Sequence, residues 1–332
     1  MRISSAVALA ILSFTLGSCL SVPPKFPRPE PLAVLDPKAL AFARVEGPLI
    51  GVLAPLLLPD PSSSKLVGKD LADLVARTRV AAFALLPSPQ GESTRAGTTS
   101  RGEGNHPLEA PASPPLPRFE AALEGDFSPF TFDLSLGMDR SWKREGRAWR
   151  LSTGPLRGIG IAVPGQGRLL AASVGMAGLL AREEKGAVDP LPPRLSGVRG
   201  RGFLVWMPDP LHRILAYLDR GSGLFAEMSL PLDGILMTGD LVDPDLAKAG
   251  GKAGREVGDP ELETELIVLM RDEESARRYL PAVKIAFTLF ERSLRIEGTI
   301  DGRAGFARNG DSIRISGLRL RASALASLLA SR

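Results

Sequence analysis

Residues 261–290, ELETELIVLMRDEESARRYLPAVKIAFTLF, place a strand directly before a long helix. Leu262–Met270 has the length of a strand and ends in the apolar run Leu266–Met270. Asp272–Phe290 has the length of a helix, and its first turn is acidic, as the helix dipole favours. Short apolar runs and amphipathic segments alternate in the same way on both sides of this unit, separated by glycine- and proline-rich turns. We therefore predict an α+β fold of mainly antiparallel sheet with packed helices.

The chain has 332 residues, which exceeds the usual size of a single core and favours two modules. We place module 1 at residues 38–184 and module 2 at residues 201–332, with a proline-rich linker at 185–200. Each module begins with a strand and a helix and ends with hairpins and a helix, so the two resemble a duplicated unit. We predict strands at 39–45, 80–86, 119–124, 147–152, 158–163, 168–173, 202–207, 224–230, 235–242, 262–270, 293–300 and 312–320. We predict helices at 48–58, 65–77, 176–183, 208–218, 272–290 and 323–330.

Module 1 contains a long insertion at residues 87–117, PSPQGESTRAGTTSRGEGNHPLEAPASPPLP. Almost no large apolar side chain occurs in it, so nothing offsets the entropy of ordering it. We predict that this insertion is disordered. His106 falls within it, which argues against a preorganised catalytic or ligand-binding role for that histidine.

The counts of reactive residues exclude several classes of protein. One cysteine, Cys19, and two histidines, His106 and His212, cannot form a structural zinc site or a disulfide. We predict no cofactor and no metal. The formal net charge is +4, because 41 basic residues are nearly balanced by 37 acidic ones, and it does not indicate a nucleic-acid-binding protein.

Residues 1–19, MRISSAVALAILSFTLGSC, have the form of a bacterial export signal. Arg2 supplies a positive charge, and an apolar stretch too short for a membrane span follows it. The last four residues, Leu16-Gly17-Ser18-Cys19, resemble the lipobox of bacterial lipoprotein precursors. That resemblance implies cleavage between Ser18 and Cys19, removal of residues 1–18, attachment of diacylglycerol to the Cys19 thiol and acylation of the new amino group, with palmitate as a typical acyl chain.

Residues 19–37 contain the lipidation cysteine and a proline-rich stretch. Prolines at 23, 24, 27, 29, 31 and 37 prevent helix formation and favour extended chain. We predict that this stretch is a tether between the bilayer and module 1. The resemblance implies membrane lipid as the partner of acylated Cys19, and a location on the periplasmic face or the cell surface.

Three fragments resemble blocks of a serine hydrolase family: Gly310-Asp311-Ser312, Asp209-Pro210-Leu211-His212 and Gly104-Asn105-His106. In that family the serine block comes first, whereas here the order is reversed. Turn and capping chemistry accounts for all three fragments, so we predict no catalytic residues.

Asp240, Asp243 and Asp245 lie close together, but their spacing lacks the calcium-loop pattern and suits a turn and a helix cap. His212 has apolar neighbours on a predicted helix, which favours a structural role.

Three arginines alternate with apolar residues on the last strand: Arg314, Arg319 and Arg321. They present either a basic face for anionic lipid or cell-wall polymer, or a solvated outer face of the sheet, and the latter is the more common arrangement.

The sequence therefore predicts a membrane-anchored lipoprotein of the bacterial cell envelope, with a non-catalytic binding or structural role and an envelope protein or anionic cell-wall polymer as its candidate partner. An envelope hydrolase that uses carboxylates is one alternative. A carrier of a small ligand or lipid is another.

Overall fold

The computed structural model of the protein describes residues 28–57, 73–87, 118–154, 157–186, 188–210, 231–243, 259–296 and 300–325. Within these residues, 12 strands form one continuous antiparallel sheet. The strands are β1 Ala41–Glu46, β2 Thr78–Leu85, β3 Phe119–Gly125, β4 Trp142–Glu145, β5 Ala148–Leu151, β6 Gly160–Gly165, β7 Arg168–Ala172, β8 Phe203–Pro208, β9 Leu232–Leu241, β10 Glu261–Met270, β11 Ile300–Asn309 and β12 Ser312–Arg321. The helices of the described residues include α1 Gly47–Leu57, α2 Pro129–Met138, α3 Met176–Lys185 and α4 Glu273–Ile296, with 3₁₀ helices at Pro31–Val34 and Pro193–Val198.

The centre of the sheet is the antiparallel pair β1 and β8, which runs from Phe42 opposite Trp206 to Val45 opposite Phe203. Outward from this pair, the order is β1-β2-β3-β7-β6 on one side and β8-β9-β10-β12-β11 on the other. The β4–β5 hairpin extends the first side by two strands. The two halves therefore repeat one strand order, which is the arrangement that a duplicated unit produces. The predicted α+β class is confirmed.

The sheet has two apolar faces because side chains alternate between faces along each strand. On one face, here called the helix face, Leu49 and Leu53 of α1 and Phe287 of α4 pack against Phe203, Leu262 and Ile315. The opposite face is covered by the 3₁₀ helices and α3, whose buried residues form one cluster with the central strands: Leu32, Val34, Leu35, Leu179, Leu191 and Leu195. The sheet is thus the middle layer between two sets of helices.

Residues 28–36 belong to the fold and are not a tether. Pro31, Leu32, Val34 and Leu35 are buried against the sheet. The proline spacing is compatible with this packing because Pro31 begins a 3₁₀ helix, where its missing N–H is not needed. We call residues 28–36 the strap, and the face on which they lie the strap face. The predicted tether of residues 19–37 was therefore too long.

The proline-rich residues assigned to the linker also contribute to the core. Leu191, Leu195 and Val198 are buried in the cluster on the strap face. The indole Nε1 of Trp206 donates a hydrogen bond of 3.1 Å to the carbonyl of Pro190. The sheet continues from β1 to β8 across the predicted boundary between the modules.

Other elements also differ from the prediction. The predicted strand at 293–300 is wrong over its first four residues, because α4 continues to Ile296 and β11 begins only at Ile300. Helix α2 was not predicted. The predicted strand at 224–230 lies outside the described residues, as do most of the helices predicted at 65–77, 208–218 and 323–330.

Candidate functional site

Several residues singled out in the sequence lie outside the part of the chain that the structure describes: Ser18, Cys19, His106, His212 and Asp245. Lipidation and cleavage at Ser18 and Cys19 therefore stay predictions.

The Gly310-Asp311-Ser312 fragment forms the β11–β12 turn. Gly310 has φ of 58°, in the left-handed region that favours glycine. The Ser312 hydroxyl donates a hydrogen bond of 2.8 Å to the carbonyl of Asn309, and the Asp311 carboxylate forms an ion pair with Arg194. All three residues therefore have turn and packing roles, as the sequence indicated.

Asp240 holds the chain that enters β8. Its Oδ1 accepts a hydrogen bond of 2.7 Å from the Gly202 N–H, and its Oδ2 lies 2.5 Å from Nη1 of Arg201. The hydrogen bond that Arg201 donates to Asp240 raises the pKa of Arg201. Among the residues that the structure describes, no group of three or more histidine, cysteine, aspartate or glutamate side chains is placed to hold a metal ion.

Two of the three arginines of β12 face glutamates on the neighbouring strand β10. Arg314 Nη1 lies 3.2 Å from Glu265 Oε1, and Arg319 Nη1 lies 3.7 Å from Glu261 Oε2. Charges of opposite sign therefore alternate across the two strands. This pairing favours the interpretation of a solvated sheet face over that of a basic docking surface.

The densest group of buried charges lies between the strap and the sheet. Arg168, the first residue of β7, is 1% exposed, and Glu120 of β3 is 2% exposed. Arg44 of β1 is also buried on this face. Each of these side chains is joined to the strap, to α3 or to both, and we call the group the strap cluster: Glu30, Arg44, Glu120, Arg168, Arg182 and Glu183.

Glu120 and Arg182 form the most complete pair in the strap cluster. Arg182 Nη2 donates to both carboxylate oxygens of Glu120 at 2.5 Å. The same arginine donates from Nε to the Val34 carbonyl at 2.7 Å, and Glu120 accepts the Asp36 N–H at 2.8 Å. One ion pair thus binds strand β3, helix α3 and two backbone groups of the strap.

Arg168 binds the beginning of the strap. Its Nη2 donates a hydrogen bond of 2.5 Å to the Pro29 carbonyl, and its Nε lies 3.4 Å from Glu183 Oε1 on α3. Glu30 accepts a hydrogen bond of 2.8 Å from Arg44 Nε, and Arg28 donates to the Gln166 carbonyl in the β6–β7 turn. The strap is therefore held along its whole length by charged groups.

Burial dominates the electrostatics of this cluster. It raises the pKa of Glu120 and of Glu183, although the neighbouring Arg182 and Arg168 oppose the shift in each case. Burial likewise lowers the pKa of Arg168. These carboxylates serve as acceptors for the strap and for α3, so the chemistry of the cluster is that of a fastening between elements.

The strap cluster was not predicted, although the sequences of three strands contain a signal for it. Glu120 stands within FEAALEG, Arg44 within AFARVE and Arg168 directly before LLAA. A charged residue inside a strand that is otherwise buried needs a partner from another element. That requirement pointed to a charged contact above the strands, but it did not identify the strap as the partner.

Among the described residues, no helix combines the length and the apolar character needed to cross a membrane. The charged cluster and the layered sheet define an α+β protein whose buried polar groups fasten its N-terminal segment.

No known protein family matches the chain, and no curated protein matches it. Solved structures of TP0453 have a similar fold. Its crystal form I is 15% identical, covers 91% of this chain and 97% of that chain, and has a TM-score of 0.54. Its crystal form III is 14% identical, covers 91% of this chain and 98% of that chain, and has a TM-score of 0.53. The likeness shows that the two proteins share a fold.

Proposed function

We propose that this protein is a lipoprotein of the bacterial cell envelope, anchored to a membrane through acylated Cys19, with a non-catalytic binding or structural role. The observation that carries the proposal is the export signal that ends in Leu16-Gly17-Ser18-Cys19. The uniqueness of the cysteine adds to it, because an exported protein with a single thiol needs a use for that thiol.

The first residues that the structure describes agree with an anchor at this position. The strap is bound to the sheet from Arg28 onward, only nine peptide links after Cys19. Two or three acyl chains, at about 0.8 kcal/mol per buried methylene, hold a protein at a membrane effectively permanently. A lipid on Cys19 therefore holds the folded residues close to the bilayer.

The non-catalytic role is supported by the use of the buried carboxylates. Glu120 and Glu183 are each paired with an arginine and fasten the strap and α3. Asp240, which belongs to the acidic group noted in the sequence, binds Arg201 and the Gly202 N–H. These three carboxylates of the described residues therefore hold elements of the fold together, which supports a structural use for them.

Mass spectrometry of the mature protein from bacterial membranes tests the anchor. We expect the wild-type chain to begin at Cys19 and to carry acyl mass on that residue. Cys19→Ala should lack the acyl mass. Ser18→Ala is the matched control, because another small residue at this position preserves the pattern and should preserve lipidation. A mature wild-type chain that begins elsewhere, or a Cys19 without acyl mass, contradicts the proposal.

Affinity capture from detergent-solubilised envelope tests the binding role. We expect an envelope protein or a cell-wall polymer to be captured with the wild-type protein. Cys19→Ala is made without the anchor and does not encounter this partner in the cell, so it should be captured without it. Turnover of an envelope substrate by the purified wild-type protein would instead favour the hydrolase.

A further inference from the structure

The exposed apolar side chains of the fold are concentrated on the helix face. Among the residues that the structure describes, nine large apolar side chains are exposed, and seven of them lie on this face: Phe83, Leu85, Phe130, Leu134, Met138, Ile285 and Leu289. The other two, Val188 and Val242, lie in the connections that follow α3 and β9. A concentration of this kind marks a surface that contacts another apolar phase.

Strand β2 exposes two of these side chains between the helices. Phe83 and Leu85 alternate along β2 with Ala82 and Ala84, which are buried on the strap face. Phe83 and Leu85 therefore point to the helix face.

Helix α2 adds three more side chains to the same face. It packs on the sheet through Phe132, which contacts the cluster of Ala81 and Leu123. The three exposed residues are spaced four apart, which places them on the side of α2 away from Phe132: Phe130, Leu134 and Met138. The outer side of α2 is therefore apolar.

Helix α4 has a second apolar stripe, on the side opposite its buried one. Ala276 and Phe287 are buried against the sheet. Five exposed residues follow one another at spacings of three or four and so form one outward stripe: Arg278, Ala282, Ile285, Leu289 and Arg292. An arginine thus bounds the apolar stretch at each end.

The charge around this stripe is positive. Between residues 277 and 292, α4 has four cations and one carboxylate: Arg277, Arg278, Lys284, Arg292 and Glu291. Helices with an apolar stripe and flanking lysines or arginines bind the surface of anionic bilayers. Two copies of the chain joined through this face would instead bring the same cations together from both sides. The charge therefore favours a bilayer over a second copy.

We infer that the helix face lies on the surface of an anionic lipid bilayer, with α2 and α4 in contact with the headgroups and the strap face turned away from the membrane. The inference rests on the proposed function for the envelope location of the protein. The face itself needs no acyl group, so the two proposals can be tested apart.

Vesicle flotation tests the face on a chain that carries no lipid. The chain consists of residues 19–332 with Cys19→Ala, so neither the export signal nor an acyl group contributes to binding. We expect it to bind vesicles of phosphatidylglycerol and phosphatidylethanolamine about tenfold more tightly than vesicles of phosphatidylcholine, because anionic headgroups attract the cations of α4. Equal binding to both kinds of vesicle, or binding to neither, overturns the inference.

Charged substitutions on each helix show whether the whole face docks. Leu289→Asp on α4 and Met138→Asp on α2 should each weaken binding by about tenfold, because each places a carboxylate against the headgroups. The side chains that they replace are 65% and 72% exposed, so the fold should tolerate both changes. The matched control is Val188→Asp, at a side chain that is 77% exposed but does not lie on the helix face, and it should bind like the parent chain.

A charge reversal provides a second matched pair. Arg278→Glu should weaken binding by about tenfold, whereas Lys185→Glu, at the exposed end of α3 on the strap face, should not. Circular dichroism of each variant confirms that it is folded. Binding that depends on only one of the two helices, or that the control variants weaken equally, overturns the inference.

Two further outcomes identify the way in which the inference fails. If the chain without lipid is a dimer and Leu289→Asp makes it a monomer, the face joins two copies and the inference is wrong. If Cys19 of the mature protein carries acyl mass but the face does not bind vesicles, the anchor stands and the docking face is refuted. If vesicle binding is as expected but Cys19 carries no acyl mass, the face stands and the anchor is refuted.

Discussion

Arg182→Met should destabilise the protein strongly, because it leaves the carboxylate of Glu120 buried without its cation. The Glu120 side chain is 3% exposed, and Arg182 donates to both of its oxygens at 2.5 Å. The substitution also removes the hydrogen bond to the Val34 carbonyl. Only the Asp36 N–H then remains of the hydrogen bonds to Glu120 described above.

The expected loss follows from comparable buried pairs. Removal of one partner from a buried ion pair costs about 3–5 kcal/mol of unfolding free energy. Replacement of both partners by apolar residues removes the buried charge, and the Asp36 N–H left without an acceptor costs about 1–3 kcal/mol. We therefore expect Glu120→Leu combined with Arg182→Met to lose less than Arg182→Met alone, even though two residues are changed.

Urea unfolding followed by circular dichroism measures these losses. The matched control is Arg150→Met, which breaks an ion pair of 3.0 Å with Glu145 in which both side chains are about half exposed, at 52% and 55%. Such exposed pairs contribute about 0–1 kcal/mol. A loss from Arg182→Met no larger than that of Arg150→Met would show that the strap cluster does not fasten the fold. Losses that simply add in the double variant would refute the coupling.

Further outcomes can be checked on single variants. Gly239→Ala should lose about 1–3 kcal/mol in urea unfolding, because its Cβ would overlap the backbone of β10, whereas Gly51→Ala, with open space around it in α1, should gain about 0.5–1 kcal/mol. A stabilised Gly239→Ala would contradict the close approach of these strands. Burial raises the pKa of Glu183, so the folded state binds its proton more readily than the unfolded state does. As the pH falls toward the pKa of Glu183 in the unfolded chain, wild type should therefore gain free energy of unfolding relative to Glu183→Gln. A loss over the same pH range, measured by urea unfolding, would argue against burial as the cause of the raised pKa. The hydrogen bond from the Ser275 N–H lowers the pKa of Asp272 at the start of α4. The contribution of the Asp272 carboxylate to stability is therefore complete above its pKa in the unfolded chain, and it is lost as the pH falls through its pKa in the folded protein. Asp272→Ala should lower the thermal midpoint at neutral pH and less so at acid pH, whereas a pH-independent difference would exclude capping by the carboxylate.

Strands that contain a continuous apolar run could be predicted from the sequence, whereas a strand interrupted by glycines and charged residues could not. β8 is an apolar run of strand length, and β10 ends in the apolar run Leu266–Met270, and both were found. β11 was missed over most of its length because Gly302, Gly305 and several charged residues interrupt its alternation. α2 was missed because its large apolar residues, Phe130, Phe132, Leu134, Leu136 and Met138, recur at every second position, so no single apolar stripe of helical period marks it.

The candidate site could be predicted only in part. Proline spacing indicated an extended segment before β1, but it could not show that Leu32, Val34 and Leu35 are buried in the core. The partners of the strap lie far away in the sequence: Glu120 is 84 residues from Asp36, and Arg182 is 148 residues from Val34. Single-sequence patterns describe local structure, and such long-range pairings follow from the topology of the sheet.

The pairing of β1 with β8 gives the chain the character of a dimer folded from one polypeptide. The two strands are joined by four residue pairs, and the strand order is the same on either side of them. Residues between α3 and β8 thus set the effective concentration at which the halves meet. If either half were made alone, its central strand would become an open edge with unpaired backbone groups. Such a half should recruit a second copy across that edge, and the intact chain prevents this exchange by supplying the partner strand itself.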